Sequence, residues 1–201
     1  MSKRVISVTV ILVIIIVSAI AYSIFLFSKK DFLGWRLNLG VTKIETSEYK
    51  GLAPNINFKY SKIFEIDSDV DKKYGVGYVV GLKLKTDNRT GCDIRIGGPE
   101  LDFSKDSQSL ADSIVGPIKE KAKNFDLIEK TKTKIGGQDA LEISFSFLDP
   151  IGARIRLDQI FVKDGDNNFI IICGTGEYPY EFFKKDFRSF YNSIDFNSKI
   201  N

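Results

Sequence analysis

Hydrophobic and polar positions change their rhythm several times along this chain. The first long stretch has no rhythm at all: Val5 to Phe27 is a run of 23 residues without a charge (VISVTVILVIIIVSAIAYSIFLF). At about 1.5 Å per helical residue it spans roughly 35 Å, enough to cross a hydrocarbon core of about 30 Å. In lipid the backbone must close its own hydrogen bonds, so a helix is expected despite the β-branched content. Further along, a period of two sets in. Ile56, Phe58 and Tyr60 alternate with Asn57 and Lys59. Val76, Tyr78, Val80, Leu82 and Leu84 alternate with Gly77, Val79, Gly81 and Lys83. Leu141, Ile143, Phe145 and Phe147 alternate with Glu142, Ser144 and Ser146. Such alternation predicts strands with one face buried.

Turn residues join some of these runs. Asp164-Gly165-Asp166-Asn167-Asn168 separates Ala153–Val162 from Phe169–Cys173, and Ile135-Gly136-Gly137-Gln138 separates Asp126–Lys134 from Ala140–Leu148. Each arrangement predicts a hairpin. Two stretches switch to helical spacing. Ser107, a candidate N-cap, precedes Leu110, Ile114, Ile118, Ala122 and Phe125, with Gly116-Pro117 predicting a kink or restart. Near the end, Tyr180, Phe183, Phe187, Phe190, Tyr191 and Ile194 form an aromatic stripe, expected to pack a helix onto a sheet. Strands, a helix, four more strands and a helix predict an α+β domain, an α/β/α sandwich around a central antiparallel sheet. The expected organisation is a basic tail (1–4), a transmembrane helix (5–27), a juxtamembrane tether (28–51), the α+β domain (52–197) and a short tail (198–201).

This order resembles the PsbP-like domain family. The residues that carry the likeness are Asn55–Tyr60 (NINFKY), the helix Ser107–Phe125, and Lys134-Ile135-Gly136-Gly137-Gln138-Asp139-Ala140. The long hairpin Ile155–Cys173 and the helix Tyr180–Tyr191 leading into Asn192-Ser193-Ile194-Asp195-Phe196 complete it. Tyr60-Ser61 stands where the family often has Tyr-Pro followed by a Trp. The resemblance implies a non-catalytic domain outside the cytoplasm. Photosynthetic members bind a membrane complex and help retain inorganic ions, and many prokaryotic members carry an N-terminal anchor or lipid. Nothing in this chain marks a photosystem partner.

Charge sharpens the picture of the N-terminus. Met1–Lys30 has four basic residues (Lys3, Arg4, Lys29, Lys30) and no acid, which leaves 25 basic and 26 acidic residues for the remainder. The overall net charge of +3 therefore belongs to the anchor segment, and the near-neutral domain is no nucleic-acid binder. Phe32 and Trp35 follow the second basic pair, where interfacial aromatics are expected. Ala19-Ile20-Ala21 is a competing signal-peptide cleavage site, but Ser23–Phe27 extends the apolar run beyond a usual signal core, which favours a retained single-pass anchor. Basic residues flank both ends, so the outside placement of the domain follows from the resemblance.

The chain has no histidine, which excludes Ser–His–Asp and Cys–His nucleophilic catalysis and His-ligated zinc. Asp67, Asp69 and Asp71 alternate as at the start of a calcium loop. Lys72 and Tyr78 occupy the places where an EF-hand needs Gly and Glu, leaving a looser calcium or manganese site against a solvated acidic turn. Asp164, Asp166 and Asn168 repeat the pattern, where a hairpin tip already explains them. Cys92 and Cys173 form a disulfide if the domain lies outside, or stand as two buried thiols. Asn88-Arg89-Thr90 is a glycosylation sequon. Lys119, Lys121, Lys123, Lys130, Lys132 and Lys134 form a solvated basic face or one that meets acidic headgroups. The reading these residues support is a membrane-anchored interaction or ligand-binding module. It uses no cofactor unless a divalent cation such as calcium, and its partners are the bilayer and another membrane or envelope protein. The rivals are a carboxylate-dependent envelope enzyme acting on glycan or lipid, and a divalent-cation-binding accessory protein.

Overall fold

The computed structural model describes residues 45–51, 56–67 and 77–196. The Val5–Phe27 run lies outside them, and no helix among the described residues is long and apolar enough to cross a membrane. Ten strands and two helices follow one another among the described residues. They are β1 (Thr46–Lys50), β2 (Ile56–Ser61), β3 (Phe64–Asp67), β4 (Tyr78–Leu84), β5 (Asp87–Ile96), α1 (Ser107–Lys121), β6 (Lys123–Ile135), β7 (Gln138–Leu148), β8 (Arg154–Asp164), β9 (Asn167–Gly176), α2 (Glu177–Asn192) and β10 (Asp195–Phe196).

The chain is α+β, and its central antiparallel sheet has seven strands in the order β3-β4-β5-β9-β8-β7-β6. It is joined by an antiparallel sheet of three strands, β1-β2-β10, which sequence periodicity does not reveal. The two helices lie on opposite faces of the large sheet, as the alternation along β7 shows. Leu141, Ile143 and Phe145 pack with Leu110, Ala111, Ile114 and Val115 of α1. The intervening Glu142 accepts a hydrogen bond from Tyr191 of α2. On its other side α2 meets the small sheet: Phe58 of β2 stands edge-on to Phe190 with ring centroids 4.9 Å apart. α2 is thus a layer between two sheets, and its buried residues include Asp186 beside the aromatic stripe.

Both expected hairpins are present. Gly136 and Gly137 join β6 to β7 at φ +57° and +82°, values that favour glycine. A Cβ on Gly136 would also lie 2.8 Å from the Ile194 carbonyl oxygen and 2.9 Å from Phe196 Cδ2, so this turn packs against the C-terminal strand. Gly165, at φ +58°, serves the β8–β9 hairpin.

Several expectations are corrected. The cap of α1 is Asp106, whose carboxylate accepts from the Ser109 N–H at 2.9 Å, and Ser107 is the first helical residue. The helix does not restart at Pro117 but runs through it to Lys121. The residue four before it, Ser113, is exposed, so water can replace the bond proline forfeits. The helix stops before Ala122, and Phe125 belongs to β6, from which it still packs on the α1 cluster. Thr46–Lys50, expected within the tether, forms β1 and pairs with β2 from Thr46↔Ser61 to Lys50↔Asn57. Tyr78 does not share a face with Val80 and Leu82. The pairing slips between Tyr78↔Arg95 and Val80↔Ile94, a bulge that turns Tyr78 to the Arg95 side.

Phe187 is fully buried and its ring meets those of Phe64, Tyr180 and Phe183. Phe187→Ala is expected to lower unfolding stability by about 3–5 kcal/mol, read as a lower urea midpoint with an unchanged slope; an unchanged midpoint would contradict this packing.

Candidate functional site

α1 covers only one side of its sheet face, over β6, β7 and Phe161 of β8. Past Leu157 the same face, over β9, β5, β4 and β3, holds a groove of about 280 Å³. Gly81, Gly91 and Gly174 line its floor, and Ile155, Leu157 and Ile172 supply apolar lining. The glycines have structural causes. A Cβ on Gly174 would come within 2.1 Å of Leu157 Cδ2, so glycine lets Leu157 lie across β9. A Cβ on Gly91 would come within 2.0 Å of the Leu82 carbonyl oxygen, so glycine lets β4 approach β5.

Charges stand beside this floor in opposed pairs. Arg95 donates from Nε to Asp93 Oδ1 at 2.8 Å and from Nη2 to Oδ2 at 3.1 Å, a bidentate contact. The Arg95 guanidinium also lies 4.2 Å from the centre of the Tyr78 ring, which the β4 bulge has turned toward it. Lys83 Nζ is 3.4 Å from Asp67 Oδ1 and 3.7 Å from Glu65 Oε1. Burial pushes the Asp93 carboxyl above its ordinary range, and Arg95 opposes that rise. The groove therefore offers an apolar floor, two carboxylates (Asp67 and Asp93) and three cations, with Lys83 answered by Asp67, Arg95 by Asp93, and Arg89 by Asp87 at 3.6 Å.

A second polar group lies under α2. Asp158, 1% exposed, accepts from Ser144 Oγ at 2.5 Å and from the Tyr180 hydroxyl. Tyr191 donates to Glu142 Oε1 at 2.9 Å, and Arg188 Nη2 lies 3.8 Å from Glu142 and 3.6 Å from Glu129. The Arg156 guanidinium sits 4.0 Å from the centre of the Tyr180 ring and pairs with Glu181 at 2.8 Å. Burial, reinforced by the adjacent carboxylates, holds both phenols well above their usual range, so each stays a hydrogen-bond donor. Burial also raises the Glu142 carboxyl. This cluster ties α2 to the sheet.

The residues singled out from the sequence are scattered. Asp67 ends β3 and lines the groove; Asp69 and Asp71 lie outside the described residues. Among the described residues no three Asp, Glu or Cys side chains sit together as ligands for an ion. Cys92 and Cys173 face each other across β5 and β9 and are joined in a disulfide. Asn88 is exposed at the groove's margin, while Thr90 of the same sequon is buried, bonded to Thr175 Oγ1 at 2.7 Å. Asp164 and Asn167 are paired in the β8–β9 hairpin. The basic stretch is partly engaged: Lys132 Nζ donates to the carbonyls of Phe103 and Lys105, Lys130 to Gln108, and Lys134 to Asp139 at 2.9 Å. No pattern read in the sequence marked Asp93, Arg95 or Asp158, and Tyr78 entered only as a strand position and as the residue that breaks the EF-hand spacing. The polar run Arg154, Arg156, Asp158 between Ile155 and Leu157 was the available sign that polar residues share the α2 face.

The sequence pattern described as "PsbP-like protein" matches residues 8–196. No curated protein matches the chain. Among solved structures, the cyanobacterial PsbP (CyanoP) of Synechocystis sp. PCC 6803 is similar with a TM-score of 0.54 at 13% identity, covering 78% of this chain and 95% of that one. LpqN of Mycobacterium tuberculosis is similar with a TM-score of 0.50 at 10% identity, covering 75% of this chain and 90% of that one. At these identities the likeness is one of fold.

Two stability effects follow from this geometry. The Cys92–Cys173 bond links residues 81 apart in sequence. Replacing both cysteines with alanine is expected to cost about 4 kcal/mol through loop entropy, visible as a lower guanidinium midpoint; an equal midpoint would mean the bond contributes nothing. Glu142 has a folded pKa raised above its ordinary 4.5. The folded state then binds its proton more tightly than the unfolded chain. Its contribution is fully present below about pH 4.5 and declines as pH rises through the folded value. Glu142→Gln is expected to flatten that decline in urea midpoints measured upward from pH 4; an unchanged slope would contradict the assignment.

Proposed function

Since the chain belongs to the PsbP-like protein family, we propose that it is a non-catalytic binding module, held at a membrane by Val5–Phe27 with its domain outside the cytoplasm. It engages a ligand or a protein of the membrane or envelope through the groove over β3, β4, β5 and β9. The observation that carries this reading is the half of the large sheet's α1 face that no described residue covers. A sheet face buried by no helix among the described residues, with an apolar floor and charges already paired, suits recognition of a surface that is part apolar and part polar. The Cys92–Cys173 bond supports the compartment, because such bonds persist where the surroundings are oxidising. LpqN, which shares the fold, is described as involved in cell envelope biogenesis, and an envelope role is the one proposed here.

Two measurements test the reading. Protease added to intact cells is expected to digest the domain; a protected domain overturns the orientation. A photo-cross-linking phenylalanine analogue in place of Arg89, exposed at the groove, is expected to give a discrete adduct in native membranes. The same analogue at Glu120, on the exposed side of α1, is expected to give none. No adduct at Arg89, or identical adducts at both sites, overturns the groove as the binding surface.

A further inference from the structure

The strand registers give the domain two distinct ends. Leu148 faces both Lys123 and Arg154, so the start of β6, the end of β7 and the start of β8 lie together. Ile155 faces Gly176, which places the start of α2 there as well. Gly91 faces Gly174, and Leu84 faces both Asp87 and Phe64, adding the β4–β5 turn and the start of β3. Ser61, the last residue of β2 before the turn into Phe64, pairs with Thr46. Thr46 is the first strand residue among those described, so the chain enters the described fold at this end.

The exposed hydrophobic residues sort by the same axis. Four large ones are exposed among the described residues: Ile96 at 39%, Ile128 at 41%, Ile151 at 82% and Tyr178 at 88%. The two extreme cases both lie at the entry end, Ile151 in the β7–β8 loop and Tyr178 in the first turn of α2. An ion pair between Arg154 and Glu177, 3.4 Å apart, ties the strand following one to the helix residue preceding the other. Neither position is an accident of a loose loop. The Asp149 carboxylate accepts from the N–H groups of Ile151 and Ala153, at 3.0 and 2.8 Å, and holds the loop that presents Ile151. Lys85, Lys121 and Lys123 are exposed at the same end, in the β4–β5 turn and at the α1–β6 junction.

We propose that this end of the domain rests on the lipid surface, with Ile151 and Tyr178 entering the headgroup region and Lys85, Lys121 and Lys123 facing anionic headgroups. An aliphatic and a phenolic side chain held at the tip, flanked by lysines, match the layered chemistry of a membrane interface, where amphipathic rings sit at headgroup level above the acyl chains. The placement of the entry point argues for lipid over another occupant, because the segment leading into Thr46 carries the charge-free run Val5–Phe27. The inference rests on the membrane attachment proposed above. It goes beyond that reading by orienting the domain, which brings the Asn88 and Arg89 side of the groove toward the bilayer.

The test uses the full chain in vesicles of phosphatidylcholine and phosphatidylglycerol, with Trp35→Phe as the background. Tyr178→Trp reports on the entry end, and Ile96→Trp reports on the opposite end, where Ile96 faces Phe169. With lipids brominated high on the acyl chains, emission from position 178 is expected to fall at least twofold more than emission from position 96. That difference is expected to shrink when phosphatidylglycerol is omitted. Equal quenching at the two positions, in a chain that still floats with the vesicles, overturns this inference and leaves the anchor intact. A chain that fails to float overturns the anchor, and this inference with it.

Discussion

The structure depends on burying α2 from two sides at once. Toward the small sheet the contact is aromatic, Phe190 against Phe58. Toward the large sheet it is polar as well, with Tyr180 donating to Asp158 and Tyr191 to Glu142. Each phenol contributes a large apolar ring and one donor, so it fills space between layers and satisfies a carboxylate that would otherwise be buried alone. The small sheet needs this support: β10 is two residues long, and an isolated pair of short strands is marginal in water. Further ties are the Gly136 turn against Ile194 and Phe196, the Phe196 ring 5.0 Å from that of Phe169 in β9, and Ser193 Oγ, which accepts from the Lys59 N–H at 2.8 Å.

Much of this was legible in the sequence, and what was not has definite causes. Alternation marked β2, β7 and most of β4, turn residues marked both hairpins, and the aromatic stripe marked α2. The stripe was read as one buried face because periodicity reports which positions are apolar. It cannot report that Tyr180 and Tyr191 also have carboxylates waiting on the far layer. The end of α1 was misplaced for a related reason: Phe125 does contact the α1 cluster, but from a strand entered through Asn124 at φ +51°. Tyr78 went astray because one extra residue in a strand reverses every face beyond it. β1 escaped because a half-exposed edge strand over Thr46–Lys50 carries little apolar alternation.

The groove was the least legible feature, because no residue in it is unusual alone. It exists because α1 packs over β6, β7 and Phe161 of β8 and not over the strands beyond, and its charges become a set only when β3, β4 and β5 are laid side by side. Asp67 was noticed for its spacing to Asp69 and Asp71, yet in the fold its neighbour is Lys83. The carboxylate pattern along the chain and the charge pattern across the sheet are different objects, and the second depends on register.

What makes the groove suited to recognition is the contrast between its floor and its charges. The disulfide joins β5 to β9 on the α2 face at Cys92 and Cys173, and the next residues, Gly91 and Gly174, form the floor on the other face. The covalent link therefore fixes the separation of the two strands at the groove itself, and a surface fixed before binding loses less entropy when it binds. One of the charges above it is held more lightly. The pair of Lys83 with the half-exposed Glu65 is worth only about 0–1 kcal/mol, so a partner can replace Glu65 at small cost. The fold does not need this pair for its stability, since the buried contacts of α2 and α1 lie elsewhere. A rigid floor combined with a charge that exchanges easily gives a surface whose shape is set by the sheet and whose polarity adapts to what it meets.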